Sequence, residues 1–476
     1  MATDALPARL ARAPVDAARG RRVLIGLFGF VLGFAVFALP HFLPPSAYGL
    51  ADDWRVFYAA ARLSHMGGNP YNQTAIQAME QVVQWYPHLQ PPLDNFAYLP
   101  VVAWLLTPAT LLPFWDSFAV FSALGAVAAV VALHAWLRES GWERAGLWLI
   151  GAMASWVMLL GFASGQFDAL LLAGLVASLV LMRRDLPWLA GACMVIVLIK
   201  PHLLWPLPLL LFAAWAPVWP RAWRFAAATG LVALGGGLAS LLLVPAGGDF
   251  LAHALSFAGN VAAAQPDLSG VPGLLLPLPG GALMGDGVAV AGAVLVAGMV
   301  WACFASQPLR HLADAERAVV PLIGLAVWLA CVPYAHPNDD VMLFPLLIVL
   351  VGVRGRGLDA RWLMMAVIGC LAVTAAFLLS FSLGEALLAI GVVAWIWWRS
   401  HVPRQALVSM ALVALALLPA VWPFHLVEVS LTPIAVALTA VSGAWWLLER
   451  MRGATGVDAP GEPAAGGAAL APVARA

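Results

Sequence analysis

The sequence predicts an all-α polytopic membrane protein with about 12 to 14 transmembrane helices and short helices in its first outer loop. Two observations carry this. Of the 476 residues, 63% are hydrophobic and 10% are charged, and mean hydropathy is +0.91. A soluble chain could not cover that much apolar surface with so few charges. The apolar residues also fall into repeated runs of ~20, the thickness of a bilayer core, separated by short polar turns. A formal net charge of zero hides an uneven placement of arginine, and that placement sets the topology.

Taken in order, residues 1–22 form a basic segment with Arg9, Arg12, Arg19, Arg21 and Arg22 ahead of the apolar run that begins at Val23. No small-x-small cleavage site follows closely, so this reads as an uncleaved signal anchor with a cytoplasmic N-terminus. An outer loop, 44–114, comes next. Its last part, Phe96 to Phe114, is apolar but broken by Pro100, Pro108 and Pro113. Read as a juxtamembrane or re-entrant element, it leaves spans near 115–137, 145–163, 169–182, 187–199, 203–219, 223–245, 283–305, 318–334 and 341–353. Four more follow near 361–381, 384–398, 405–423 and 431–448. All of the 24 basic residues except Arg55, Arg62 and Lys200 then face the cytoplasm. Counting 96–114 as a span would turn most of the arginine clusters outward, against the positive-inside rule. The main membrane module is therefore 23–355, with additional C-terminal helices over 356–452. The Ala/Gly/Pro-rich tail 453–476 cannot form a core and is expected to be disordered.

This topology gathers the polar connections on the outer side. In the first loop Asp52-Asp53 opens a segment where Trp54, Phe57, Tyr58 and Ala61 recur at helical spacing, an amphipathic pattern suited to the interface. Aspartate is a preferred N-cap, so one acid of the pair has that structural alternative; the other serves as a general base. Arg62 follows, and Gly67 to Tyr71 ends the segment by turn chemistry. Gly165-Gln166-Phe167-Asp168 interrupts two apolar runs and reads either as a tight turn or as part of a site. Lys200 is the only lysine in the chain. At the end of an apolar span, with His202 two residues on, it reads as a snorkelling side chain or as a compact cation for a phosphate. His336 to Asp340 offers His336, Asp339 and Asp340, one acid of which is expected to cap the next helix. Cys193, Cys303, Cys331 and Cys370 lie in or beside apolar runs without metal spacing and read as packing thiols. No metal site is indicated by spacing and no cofactor is called for, although a divalent metal stays an open alternative. With no phosphate-cradling loop, dinucleotide fingerprint or basic patch, soluble nucleotides and nucleic acids are not the expected partners.

At these residues the chain resembles the bacterial polyprenyl-phosphate-mannose-dependent mannosyltransferases, glycosyltransferase family 87 of the GT-C membrane fold. The resemblance covers roughly 20–355 and is carried by an ordered set. Asp53-Trp54-Arg55-Val56-Phe57-Tyr58 is followed by Gly67 to Tyr71 and Gly165 to Asp168. Ala190-Gly191, Lys200-Pro201, Pro333-Tyr334 and Asp339-Asp340 then complete it. It departs from the family pattern in Asn338-Asp339-Asp340, where many members have Tyr-Asp. The resemblance implies transfer of a sugar, with mannose expected, from a polyprenyl phosphate to a lipid or glycan hydroxyl on the outer face of the cytoplasmic membrane. It assigns the catalytic base to Asp53. The substrate-binding candidates are Asp52, Arg62, Tyr71, Gln166, Asp168, Lys200, His202, His336, Asp339 and Asp340. Two rival readings are a transporter or flippase for a lipid-linked sugar, and a non-catalytic subunit of envelope polysaccharide assembly. The first would show inverted repeats with charges near the midplane; the second would keep the fold without needing Asp53.

Overall fold

A computed structural model describes residues 29–34, 51–83, 96–140, 152–153, 156–244, 247–253, 268–276, 278–352 and 432–454. The basic N-terminus, most of the first span, the three spans expected between 361 and 423 and the tail lie outside the described residues. Among the described residues every regular element is a helix, and the protein is an all-helical membrane protein.

The outer loop contributes α1 (Asp52–His65), α2 (Gln73–Val83) and α3 (Pro100–Leu105), then a 3-10 turn over Thr107–Leu111. Six residues of α-helix rise ~9 Å, so α3 is far too short to cross a bilayer. Its N-terminus carries Pro100, where the missing N–H costs nothing. The main bundle begins with α4 (Phe114–Glu139), followed by α5 (Trp156–Ser164) and α6 (Asp168–Arg183). The apolar stretch after Arg184 is broken into α7 (Pro187–Ala192), α8 (Val195–Ile199), α9 (Pro201–Leu204) and α10 (Pro206–Trp215). Prolines at 187, 201 and 206 open three of these pieces, since each lacks the N–H that would bond the preceding turn. Then come α11 (Trp219–Leu242), α12 (Val271–Leu275), α13 (Gly281–Ala305) and α14 (Val319–Cys331). A 3-10 helix at Pro337–Leu343, α15 (Phe344–Gly352) and α16 (Thr432–Ala454) complete the described chain.

Among the described residues three helices, α4, α11 and α13, are long and apolar enough to cross a membrane unaided. Large apolar side chains on α11 and α13 remain exposed, among them Leu234, Leu241, Leu283 and Trp301, as a lipid-facing surface requires. The buried core runs through α4, α6, α10 and α14.

Two polar ends are distinct. Arg184 donates to Glu139 at 2.9 and 2.8 Å, and Arg221 bridges Asp185 at 2.9 Å and Asp314 at 2.6 Å. These residues sit at the C-terminal ends of α4 and α6, the start of α11 and the short helix Asp314–Arg317 ahead of α14. Asp168, by contrast, begins α6, ~24 Å away at 1.5 Å per residue. A Cβ on Gly125 would lie 3.3 Å from that of Ala169, so Asp168 stands about 16 Å along α4 from Phe114. The upper part of α4 is flanked instead by α1 and the 3-10 turn, while α3 packs on α1 and α11; together they form a roof on the Asp168 side.

That roof corrects the expectation of an interfacial α1. Every residue from Trp54 to Ala61 is buried. Trp54 stacks on Phe121 at 4.2 Å, and Phe57 meets both Tyr98 and Phe167 at 4.7 Å. The aromatics find protein partners on all sides rather than lipid headgroups. Neither acid caps the helix: the N-cap is Ala51, in a left-handed conformation with no side-chain cap bond. Its N–H donates to the Ala163 carbonyl at 2.7 Å. Asp52 and Asp53 lie in the first turn, where a carboxylate is favoured by the helix dipole.

Candidate active site

The site forms where the first turn of α1 meets the 163–168 turn, the α8–α9 break and the 3-10 helix. Gly165 makes the first junction. Its φ of +78° admits glycine readily, and a Cβ there would fall 2.6 Å from the Trp54 Cβ. The turn delivers Gln166 and Asp168. The Gln166 Oε1 accepts the Tyr98 hydroxyl at 3.3 Å, and Tyr71 in turn donates to the Tyr98 carbonyl at 2.7 Å. Tyr98 is thus held at its side chain by Gln166 and at its backbone by Tyr71.

Lys200 stands at the break between α8 and α9, 3% exposed. Its ammonium donates to Asp339 Oδ1 at 2.6 Å and Asp168 Oδ1 at 3.1 Å. The second oxygen of Asp168 accepts Asn338 Nδ2 at 2.7 Å. The second oxygen of Asp339 accepts the His336 N–H at 2.9 Å. The lysine does not snorkel; it is enclosed. Asp339 reaches back to the His336 N–H inside its own 3-10 helix, and His336 is the residue at the N-cap.

Around this core the rings line up. His202 faces Tyr334 at 5.7 Å, and Tyr334 faces His336 at 4.9 Å. The His202 carbonyl accepts the Trp328 indole at 2.8 Å, which fixes the backbone beside the ring. Asp340 is 1% exposed, and neither of its oxygens has a hydrogen-bond partner among the described residues. The Ser269 hydroxyl is its polar neighbour but donates to the His336 carbonyl at 3.2 Å. Burial first, then the charge of Asp339, raises the Asp340 carboxyl well above the usual range. In the roof, burial raises Asp52 against the pull of Arg55.

Tyr98 connects the two halves. Burial pushes its phenol up, the Lys200 ammonium pulls it down, and the carboxylates of Asp53 and Asp339 push it up further. Asp53 lies in the first turn of α1, which meets the turn ahead of Asp168 where Trp54 approaches Gly165. Of the residues expected from sequence, the structure brings Asp53, Gln166, Asp168, Lys200, His202, His336, Asp339 and Asp340 into this region. Tyr71 supports it from behind. Arg62 lies on the exposed side of α1, next to Tyr58. Sequence reading missed Tyr98 and Asn338. A signal for Tyr98 existed: five of the six tyrosines fall between 48 and 98. Nothing local marked Asn338, whose partner is 170 positions away. Among the described residues no trio of His, Cys, Asp or Glu is placed to hold a metal.

The architecture is that of an all-helical membrane protein with a cluster of buried acids and tyrosines. The model of glycosyltransferase family 87 matches residues 96–331 and identifies this stretch of the chain as a member of that family. The match takes in Tyr98, Gln166, Asp168 and Lys200. Neither curated proteins nor solved structures gave a match to the chain.

Proposed function

We propose that this glycosyltransferase moves a sugar, mannose being the expected one, from a polyprenyl phosphate to a lipid or glycan hydroxyl on the outer face of the cytoplasmic membrane. Asp53 is the general base. It takes the acceptor's proton as that oxygen attacks the anomeric carbon from the face opposite the phosphate. The bond from the anomeric carbon to the phosphate oxygen breaks, the phosphate leaves with the electron pair, and configuration inverts. His336 and His202 are the groups proposed to meet the developing negative charge.

The observation that supports this reading is the buried set of Lys200, Asp168, Asn338 and Asp339 from three separate segments, next to the Gln166–Tyr98 hydrogen bond and the first turn of α1. The polar cluster of Glu139, Arg184 and Arg221 at the other end of α4 and α6, read with the positive-inside rule, supports an outward-facing site.

Purified protein in liposomes, given radiolabelled polyprenyl-phosphate sugars and a lipid-extract acceptor, tests it. Label should pass to the acceptor without crossing the bilayer. Movement of intact donor between leaflets without transfer would instead make the protein a flippase.

A further inference from the structure

Lys200, Asp168, Asn338 and Asp339 form a closed circuit. Two carboxylates present four oxygens. The lysine takes one from each at 3.1 and 2.6 Å, Asn338 takes the third at 2.7 Å, and the His336 N–H takes the fourth at 2.9 Å. All four oxygens are occupied, and the three charged residues are at most 3% exposed. The members come from three separate stretches of chain, with Lys200 separated by 32 positions from Asp168 and by 139 from Asp339.

We propose that this circuit is a positioning clamp: Lys200 serves sugar transfer by fixing Tyr334 and His336 opposite Tyr98, not by binding the donor phosphate. The charge count argues for it. One ammonium faces two carboxylates, so the cluster carries no surplus positive charge to attract an anion. The chemistry of lysine fits as well. A compact ammonium on a flexible stem can satisfy oxygens from two directions, where the planar arginine fork needs both on one edge. The α8–α9 break supplies the access: Pro201 opens a new helix directly after Lys200, so the side chain leaves the chain at a corner instead of from a helix flank. Removing Lys200 leaves two buried carboxylates without their counter-charge, and Asp339→Asn sets an amide donor against either the ammonium or the His336 N–H; each change moves the elements that hold the set.

The clamp borrows its readout from the glycosyl-transfer reading, so the experiment includes measurements that do not need turnover. Lys200→Met, Asp339→Asn and the neutral triple variant Lys200→Met/Asp168→Asn/Asp339→Asn are compared in detergent. The readouts are thermal melting, binding of undecaprenyl phosphate, and kcat and KM for transfer. Both single variants should melt lower and lose about 100-fold in kcat, the scale of a misplacement near 1 Å, with undecaprenyl phosphate affinity within twofold of wild type. The triple variant, in which no buried charge is unpaired, should recover most of the melting temperature and at least tenfold of the lost kcat. A tenfold or greater loss of undecaprenyl phosphate affinity in Lys200→Met, with tighter binding in Asp339→Asn, would overturn the clamp and make Lys200 a phosphate ligand. A triple variant that folds yet stays as inactive as Lys200→Met would overturn it too. Should the triple not fold, the opposite or parallel behaviour of the two single variants decides alone. If wild type transfers no sugar at all, the function fails, while melting and phosphate binding still judge the clamp.

Discussion

At the scale of single residues, the proposed mechanism gives the adjacent acids of α1 different work. Neither is the cap, since Ala51 occupies that position, so a mutation at either does not remove a cap. Asp53→Asn keeps size and most hydrogen bonding but cannot take a proton. It should lower transfer by about 10²–10⁴-fold, the usual scale of a lost general base, with undecaprenyl phosphate binding and melting near wild type. Asp52, already pushed toward its neutral form by burial, should tolerate Asn with less than a tenfold change. The reverse ranking would move the base by one residue. Asp340 offers a pH test. Its carboxyl is raised in the folded state. The folded protein therefore holds a proton that the unfolded chain releases above about pH 4. Stability is highest below that value and falls as pH rises toward the folded pKa. Asp340→Asn should abolish this loss and make the protein at least as stable as wild type at pH 7. Parallel melting curves for both forms between pH 4 and 8 would contradict the assignment.

Elements meet at the site through glycine. In α5 a Cβ on Gly161 would fall 2.9 Å from Asp168 Oδ2, and that oxygen is pinned by Asn338, so it cannot swing aside cheaply. Gly161→Ala should therefore cost more in kcat than in melting temperature. Gly165→Ala meets both a positive φ and the Trp54 Cβ at 2.6 Å. It should destabilise by about 2–4 kcal/mol, visible as a lower melting temperature whatever the substrate. Equal small effects in both assays for both variants would mean that the α1–α5–α6 junction adapts. The same junction explains a reading that did not survive. The i, i+3, i+4, i+7 pattern of Trp54, Phe57, Tyr58 and Ala61 correctly marked a helix. The pattern gives one apolar face and does not say whether lipid or protein covers it. Phe121 and Phe167, more than 60 positions downstream, cover it.

For the whole molecule, the two polar ends make a topological prediction. With the four native cysteines replaced, His65→Cys on the exposed end of α1 should react with an impermeant maleimide added to intact cells. Ser140→Cys beyond α4 should not. Labelling of residue 140 from outside would invert the scheme and move the site to the cytoplasm.

The sequence alone determined the solvent, because 63% apolar residues in ~20-residue runs leave a bilayer as the medium. It also determined helices as the only regular element, since each apolar run must satisfy its own backbone in lipid, and it singled out the scarce polar residues. Lys200 stood out by being the only lysine; Asp53 stood out by its aromatic neighbours. Tertiary structure alone decided what those residues do to one another. The pairings of Lys200 with Asp168 and Asp339, of Asn338 with Asp168 and of Gln166 with Tyr98 join positions 32 to 170 apart. No local pattern encodes such pairings, because a buried charge is specified by whichever distant element the packing brings to its side.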